Sequence, residues 1–129
     1  MRRWLGVLAL AVIGWASVLP ALAAGDANRG AALVASRSLG LCVLCHALPG
    51  QPESSHGTVG PPLASVGARL DAASLRQRLL APERFNPDTV MPAYGRSDGL
   101  RQVASALRGQ PLLSAAQIDD VVAYLESLQ

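Results

Sequence analysis

The chain has 129 residues, 50% of them hydrophobic, 16% charged and 4% aromatic, with a formal charge of +2. That length suits one domain, and two cysteines are too few for a disulfide-built scaffold. Eleven basic residues, all arginine, stand against nine acidic ones. Such a balance gives no basic field to hold nucleic acid and no lysine ring for docking.

Arg2 and Arg3 open the chain, followed by an apolar run from Trp4 to Leu19, then Pro20 and the small-residue stretch Ala21-Leu22-Ala23. A charged start, an apolar middle and small residues at the end form the pattern of a secretory signal peptide, with cleavage expected after Ala23. The alternative is an uncleaved anchor, for which the run is shorter than the ~20 residues a spanning helix needs. Residues 24–129 are then the mature domain, placed in the periplasm. Its nine arginines balance nine acidic residues, so no membrane partner is expected after cleavage. Both tryptophans leave with the leader, and Phe85, Tyr94 and Tyr124 are the aromatics that stay.

The first helix is predicted from Asp26 to about Ser36, with Asp26 as its N-cap. Gly30 inside it costs about 1 kcal/mol relative to alanine. Two readings explain it: a close crossing by another helix, or a helix boundary drawn in the wrong place.

Leu41-Cys42-Val43-Leu44-Cys45-His46 contains C-x-x-C-H, the spacing of c-type haem attachment. On a helical turn Cys42, Cys45 and His46 fall at i, i+3 and i+4 and share a face. Two thiols so placed can each add to a vinyl group of one porphyrin, while the imidazole reaches the iron. The competing chemistries are weaker. No strand and helix alternation surrounds the pair to carry a thioredoxin-like site. Zinc wants four nitrogen or sulfur ligands, and His56 is the only other candidate. A disulfide across so small a loop would be strained.

A loop follows from Ala47 to Thr58, then Gly60-Pro61-Pro62-Leu63. The two prolines forbid helix and leave carbonyls free. A metal-bound histidine normally donates its second ring N–H to such a group, which makes the Pro61 carbonyl a candidate acceptor for His46. A rigid turn without a role at iron is the other reading. Asp71 caps a helix predicted over Ala72 to about Leu80, with Leu75 and Leu79 on one face, and Pro82 stops it. Pro82 to Gly99 reads as an irregular loop holding Met91. Leu100 to Arg108 is predicted to be a helix ending at Gly109. The last helix starts at the capping box Ser114-Ala115-Ala116-Gln117 and carries Ile118, Val121, Val122, Leu125 and Leu128 at helical spacing. No strand and no repeat is expected. The fold class is all-α, four or five short helices around one covalent haem.

A filled second axial position suits electron transfer, and an open one suits ligand binding or catalysis. Met91 is the sole methionine of the mature chain, and Pro92 biases it towards extended backbone rather than a core helix. His56 lies within reach of the iron, among polar neighbours that read as an exposed loop. Three occupancies therefore stay open at this point: Met91, His56 or none.

C-V-L-C-H, G-P-P-L, M-P and the C-terminal helix together resemble class I cytochrome c along the whole mature chain. The resemblance implies a single domain in which His46 and Met91 ligate the iron, the Pro61 carbonyl supports His46, and Gly30 meets Tyr124 at a helix crossing. Arg69 matches an arginine that contacts a haem propionate in some members; a solvated surface charge is its alternative. More narrowly, residues 86–94 (N-P-D-T-V-M-P-A-Y) and 99–125 are similar to the sulfur-oxidation cytochromes of the SoxX family. That family implies a heterodimer with a SoxA-type haem subunit bearing the catalytic site, an L-cysteine S-thiosulfotransferase acting on a SoxY-type carrier, with this chain passing the released electrons to a downstream acceptor. No catalytic residue is then expected here. Two departures stand out: Gly95 where a second aromatic is expected, and Gln110 where lysine is. A free periplasmic electron shuttle is the alternative function, and an open-iron haem enzyme or gas sensor is a third.

Overall fold

The computed structural model describes residues 24–129, so the leader and cleavage expectations for residues 1–23 lie outside the described residues. Four helices make the scaffold: α1 (Ala27–Ala35), α2 (Val66–Arg69), α3 (Ala72–Leu80) and α4 (Ala115–Ser127). Short 3-10 turns fill the connections, and no strand is present among the described residues.

Local sequence explains where three of the helices begin. The Asp26 carboxylate accepts from the backbone N–H groups of Asn28 and Arg29, and Asp71 accepts from that of Ser74. At α4 both halves of the capping box form, Ser114 with the Gln117 backbone and the Gln117 side chain with the Ser114 backbone. Each device satisfies donors that the first helical turn leaves unpaired.

Packing then assembles the helices around α4. Its residues Ile118 and Val121 are fully buried together with Val34 of α1 and Leu113, and Leu75 and Leu79 of α3 close the core from another side. Removing each such side chain from water contributes ~1.5 to 3 kcal/mol. Gly30 is the contact point of α1 and α4. A Cβ there would fall 2.0 Å from the Asp120 carbonyl oxygen and 2.8 Å from the Tyr124 Cβ, so the crossing admits glycine alone.

The same crossing carries a buried ionic group, Asp120, with its partners in place. Asp120 is 5% exposed. It accepts from Arg29 Nε at 2.8 Å, from Arg29 Nη2 at 2.7 Å and from the Asp26 backbone N–H at 2.7 Å. The Arg29 hydrogen bond first, and the Asp26 N–H second, hold the Asp120 carboxyl below the usual carboxylate range against the opposing effect of burial.

Two expectations need correction. Leu100 to Arg108 is not a helix; only a 3-10 turn, Ser105–Leu107, forms within it. Gln102 sits at φ +56°, and Leu100 and Leu107 are 52% and 56% exposed. A nine-residue helix is marginal unless an apolar face is packed, and nothing covers this one. Conversely, α2 forms directly after the prolines, where no helix was expected. Its entry is Ser65 at φ +53°, and its Gly67 N–H donates to the Leu128 carbonyl at the end of α4.

Candidate functional site

The C-x-x-C-H segment folds as a tight turn. Leu41, at φ +61°, leads into a 3-10 turn over Cys42–Leu44, and the N–H groups of Cys45 and His46 both donate to the Cys42 carbonyl, at 3.1 and 2.9 Å. Cys42 is buried and Cys45 half-buried. Burial pushes the Cys42 thiol up, partly offset by the Tyr94 hydroxyl 4.0 Å from its sulfur. Tyr94 is itself 3% exposed, and burial drives its phenol far above the ordinary value.

His46 is oriented by the segment that follows. Its Nδ1 lies 2.7 Å from the Pro61 carbonyl oxygen. A carbonyl only accepts, so Nδ1 carries a proton, and in the neutral ring Nε2 is the nitrogen with the free lone pair. The prolines fix that carbonyl, and the segment is tied to the cysteine turn by three backbone bonds: Gly57 N–H to Val43, Gly60 N–H to Cys45 and Leu63 N–H to Ala47. Gly60 is required by proximity. A Cβ there would come within 2.4 Å of His46 Cε1 and push the ring from its place.

Two cavities of about 520 and 480 Å³ flank these residues and share Cys42, His46, Pro61, Met91 and Tyr94 in their walls. They form one cleft. Leucines 63, 70, 75 and 79 make the larger half mostly apolar. Met91 is half-buried against the core, and its N–H donates to Thr89 Oγ1 at 3.1 Å. His56 lies outside the wall of either half, its Nδ1 3.1 Å from the Gly57 carbonyl oxygen. Arg69 lines the larger half, but its Nη1 and Nη2 donate to the carbonyls of Ala64 and Pro62 at 2.8 and 3.3 Å.

Sequence reasoning missed Arg78. It lines the same half from α3, with its guanidinium carbon 4.2 Å from the centre of the Phe85 ring. A signal existed: position 78 is i+3 from Leu75, on the apolar side of α3, where a charged residue is out of pattern. Gly95, a departure noted in the sequence, leaves room for Leu80, whose Cδ2 would sit 2.5 Å from any added Cβ.

The family model for cytochrome c matches residues 27–129. A chain of the crystal structure of SoxXA from P. pantotrophus is 33% identical, with 83% of this chain and 84% of that one covered and a TM-score of 0.73. This chain is a class I cytochrome c of the SoxX type. No curated protein sequence matches it. One C-x-x-C-H motif makes the SoxX-type chain a monohaem electron-transfer cytochrome, and membership brings covalent haem c. The cleft fits that group: thiols on one turn, an imidazole with its lone pair left over, a thioether in the same wall and an apolar lining.

Proposed function

We propose that the chain accepts and relays electrons in the periplasm as the small subunit of a thiosulfate-oxidising complex with a SoxA-type haem partner. In this reading residues 1–23 are a cleaved leader and residues 24–129 the working domain. Cys42 and Cys45 would bond the porphyrin, and His46 and Met91 would hold its iron. The single observation that carries electron transfer over ligand binding is that an imidazole and a thioether share one cleft. Haem c supplies a one-electron couple. Pro61 keeps His46 in one tautomer and one orientation, and the apolar wall excludes water.

Substrate chemistry is assigned to the partner. Both cysteines are committed to the cofactor, so none remains to carry a sulfur intermediate. The likeness to a SoxXA chain supports a SoxA-type partner, with a SoxY-type carrier reached through the complex.

Co-elution tests the reading. The chain, expressed through a haem-attachment pathway in its native periplasm, is expected to fractionate with a larger haem protein, and the pair to take up electrons from thiosulfate. Elution alone as a haem-loaded monomer, inert to thiosulfate with candidate partners restored, would replace the complex with a free electron shuttle.

A further inference from the structure

We propose that Arg78, from α3, is the residue that binds a haem propionate, and that Arg69 instead shapes the backbone around Pro61. This rests on the reading that haem occupies the cleft. The Nε atom of Arg78 is buried and has no hydrogen-bond partner. Buried donors in folded proteins are almost always paired, so an unpaired one in a cofactor cleft points to a group supplied by the cofactor. Among the described residues no carboxylate forms an ion pair with Arg78, whereas Arg76 has one such partner and Arg29 and Arg96 have two each.

The surroundings select an anion. The half of the cleft that Arg78 lines holds two arginines and no aspartate or glutamate among its described residues; Asp88 faces only the other half. Stacking of the guanidinium on Phe85 fixes its plane, which leaves the edge with its N–H fork free to meet a carboxylate. The porphyrin's own carboxylates are its two propionates. Arg69 is differently placed, since both of its terminal nitrogens already hold carbonyls of the segment that flanks Pro61.

The proposal separates the two arginines by reduction potential. Oxidised haem carries one more positive charge than reduced haem, so a cation beside it, and one that neutralises a propionate, favours the reduced form. Arg78→Leu and Arg78→Gln are expected to shift the potential of the haem-loaded protein downward and to move the propionate bending mode in its resonance Raman spectrum. Arg78→Lys, which keeps the charge without the fork, should recover most of the potential and less of the Raman frequency. Arg69→Leu should lower the melting temperature with a smaller shift of potential. A wild-type potential and Raman spectrum in both neutral Arg78 variants, at full haem loading, would overturn the proposal, as would a larger potential shift from Arg69→Leu. Should the leucine variant not fold, the glutamine and lysine variants carry the same contrast. Failure of the wild-type chain to acquire covalent haem would overturn the underlying reading instead.

Discussion

The α1–α4 crossing and the cleft beside α3 are built to opposite rules. At the crossing each group has its partner within the chain: Gly30 lies against the α4 backbone, and Asp120 holds Arg29 and the Asp26 N–H. At the cleft a thioether, an imidazole lone pair and the Nε of Arg78 face a shared space. The first region is complete as protein, and the second is shaped for something that is not protein. The contrast teaches that the two regions can be attacked one at a time, at Gly30 or at Met91, even though Leu75 and Leu79 serve both core and cleft.

The largest effect should come from Gly30→Val, which drives side-chain atoms into the α4 backbone. Overpacking of this kind costs about 3 kcal/mol or more when the neighbour cannot yield. Urea unfolding of the haem-loaded protein should show it, and a midpoint equal to wild type would mean the crossing is looser than the geometry states. Met91→Ala attacks the other region. It should abolish the sulfur-to-iron charge-transfer band with helix content retained; an unchanged spectrum would remove Met91 from the iron.

A smaller, pH-dependent effect belongs to Asp120. Its folded pKa is depressed, chiefly by Arg29, so its contribution is present above the unfolded value of about 3.9 and lost as pH falls through the lower folded value. Melting temperatures of wild type and Asp120→Asn should therefore differ most above about pH 4 and converge at more acid pH. A gap that widens on acidification would contradict the assigned sign. The smallest effect is expected from Leu107→Ser, within about 0.5 kcal/mol of wild type because this leucine is exposed and belongs to neither region. A clear loss of stability there would show that the 100–108 segment is packed after all.

What the sequence made legible follows the same division. The crossing was readable because its signals are local: an N-cap aspartate, a capping box, an apolar stripe, and a glycine out of place in a helix. That Cys42, Cys45 and His46 share one turn was readable from spacing, and the Pro61 contact of His46 from the need of a metal-bound imidazole for a partner at its second nitrogen. Arg78 was not, because its significance comes from what it lacks in three dimensions, and no spacing rule reports a missing partner. The 100–108 segment misled for the converse reason. Leu100, Val103 and Leu107 have helical spacing, but spacing stabilises a helix only when another surface receives the apolar face. The short α2 was hidden because it depends on Ser65 in a left-handed conformation and on the far end of α4.

The crossing joins residues near 30 to residues near 120, across almost the whole length of the domain. A chain made N-terminus first cannot form this contact until residues near 120 have appeared. Closure of this fold is consequently a late event. Until the last thirteen-residue helix has appeared, the segment carrying Cys42 and Cys45 belongs to an unfinished chain whose thiols can be reached. A chain truncated before Ser114 should remain indefinitely in the open phase, with cysteines reactive to a small alkylating reagent and little stable helix.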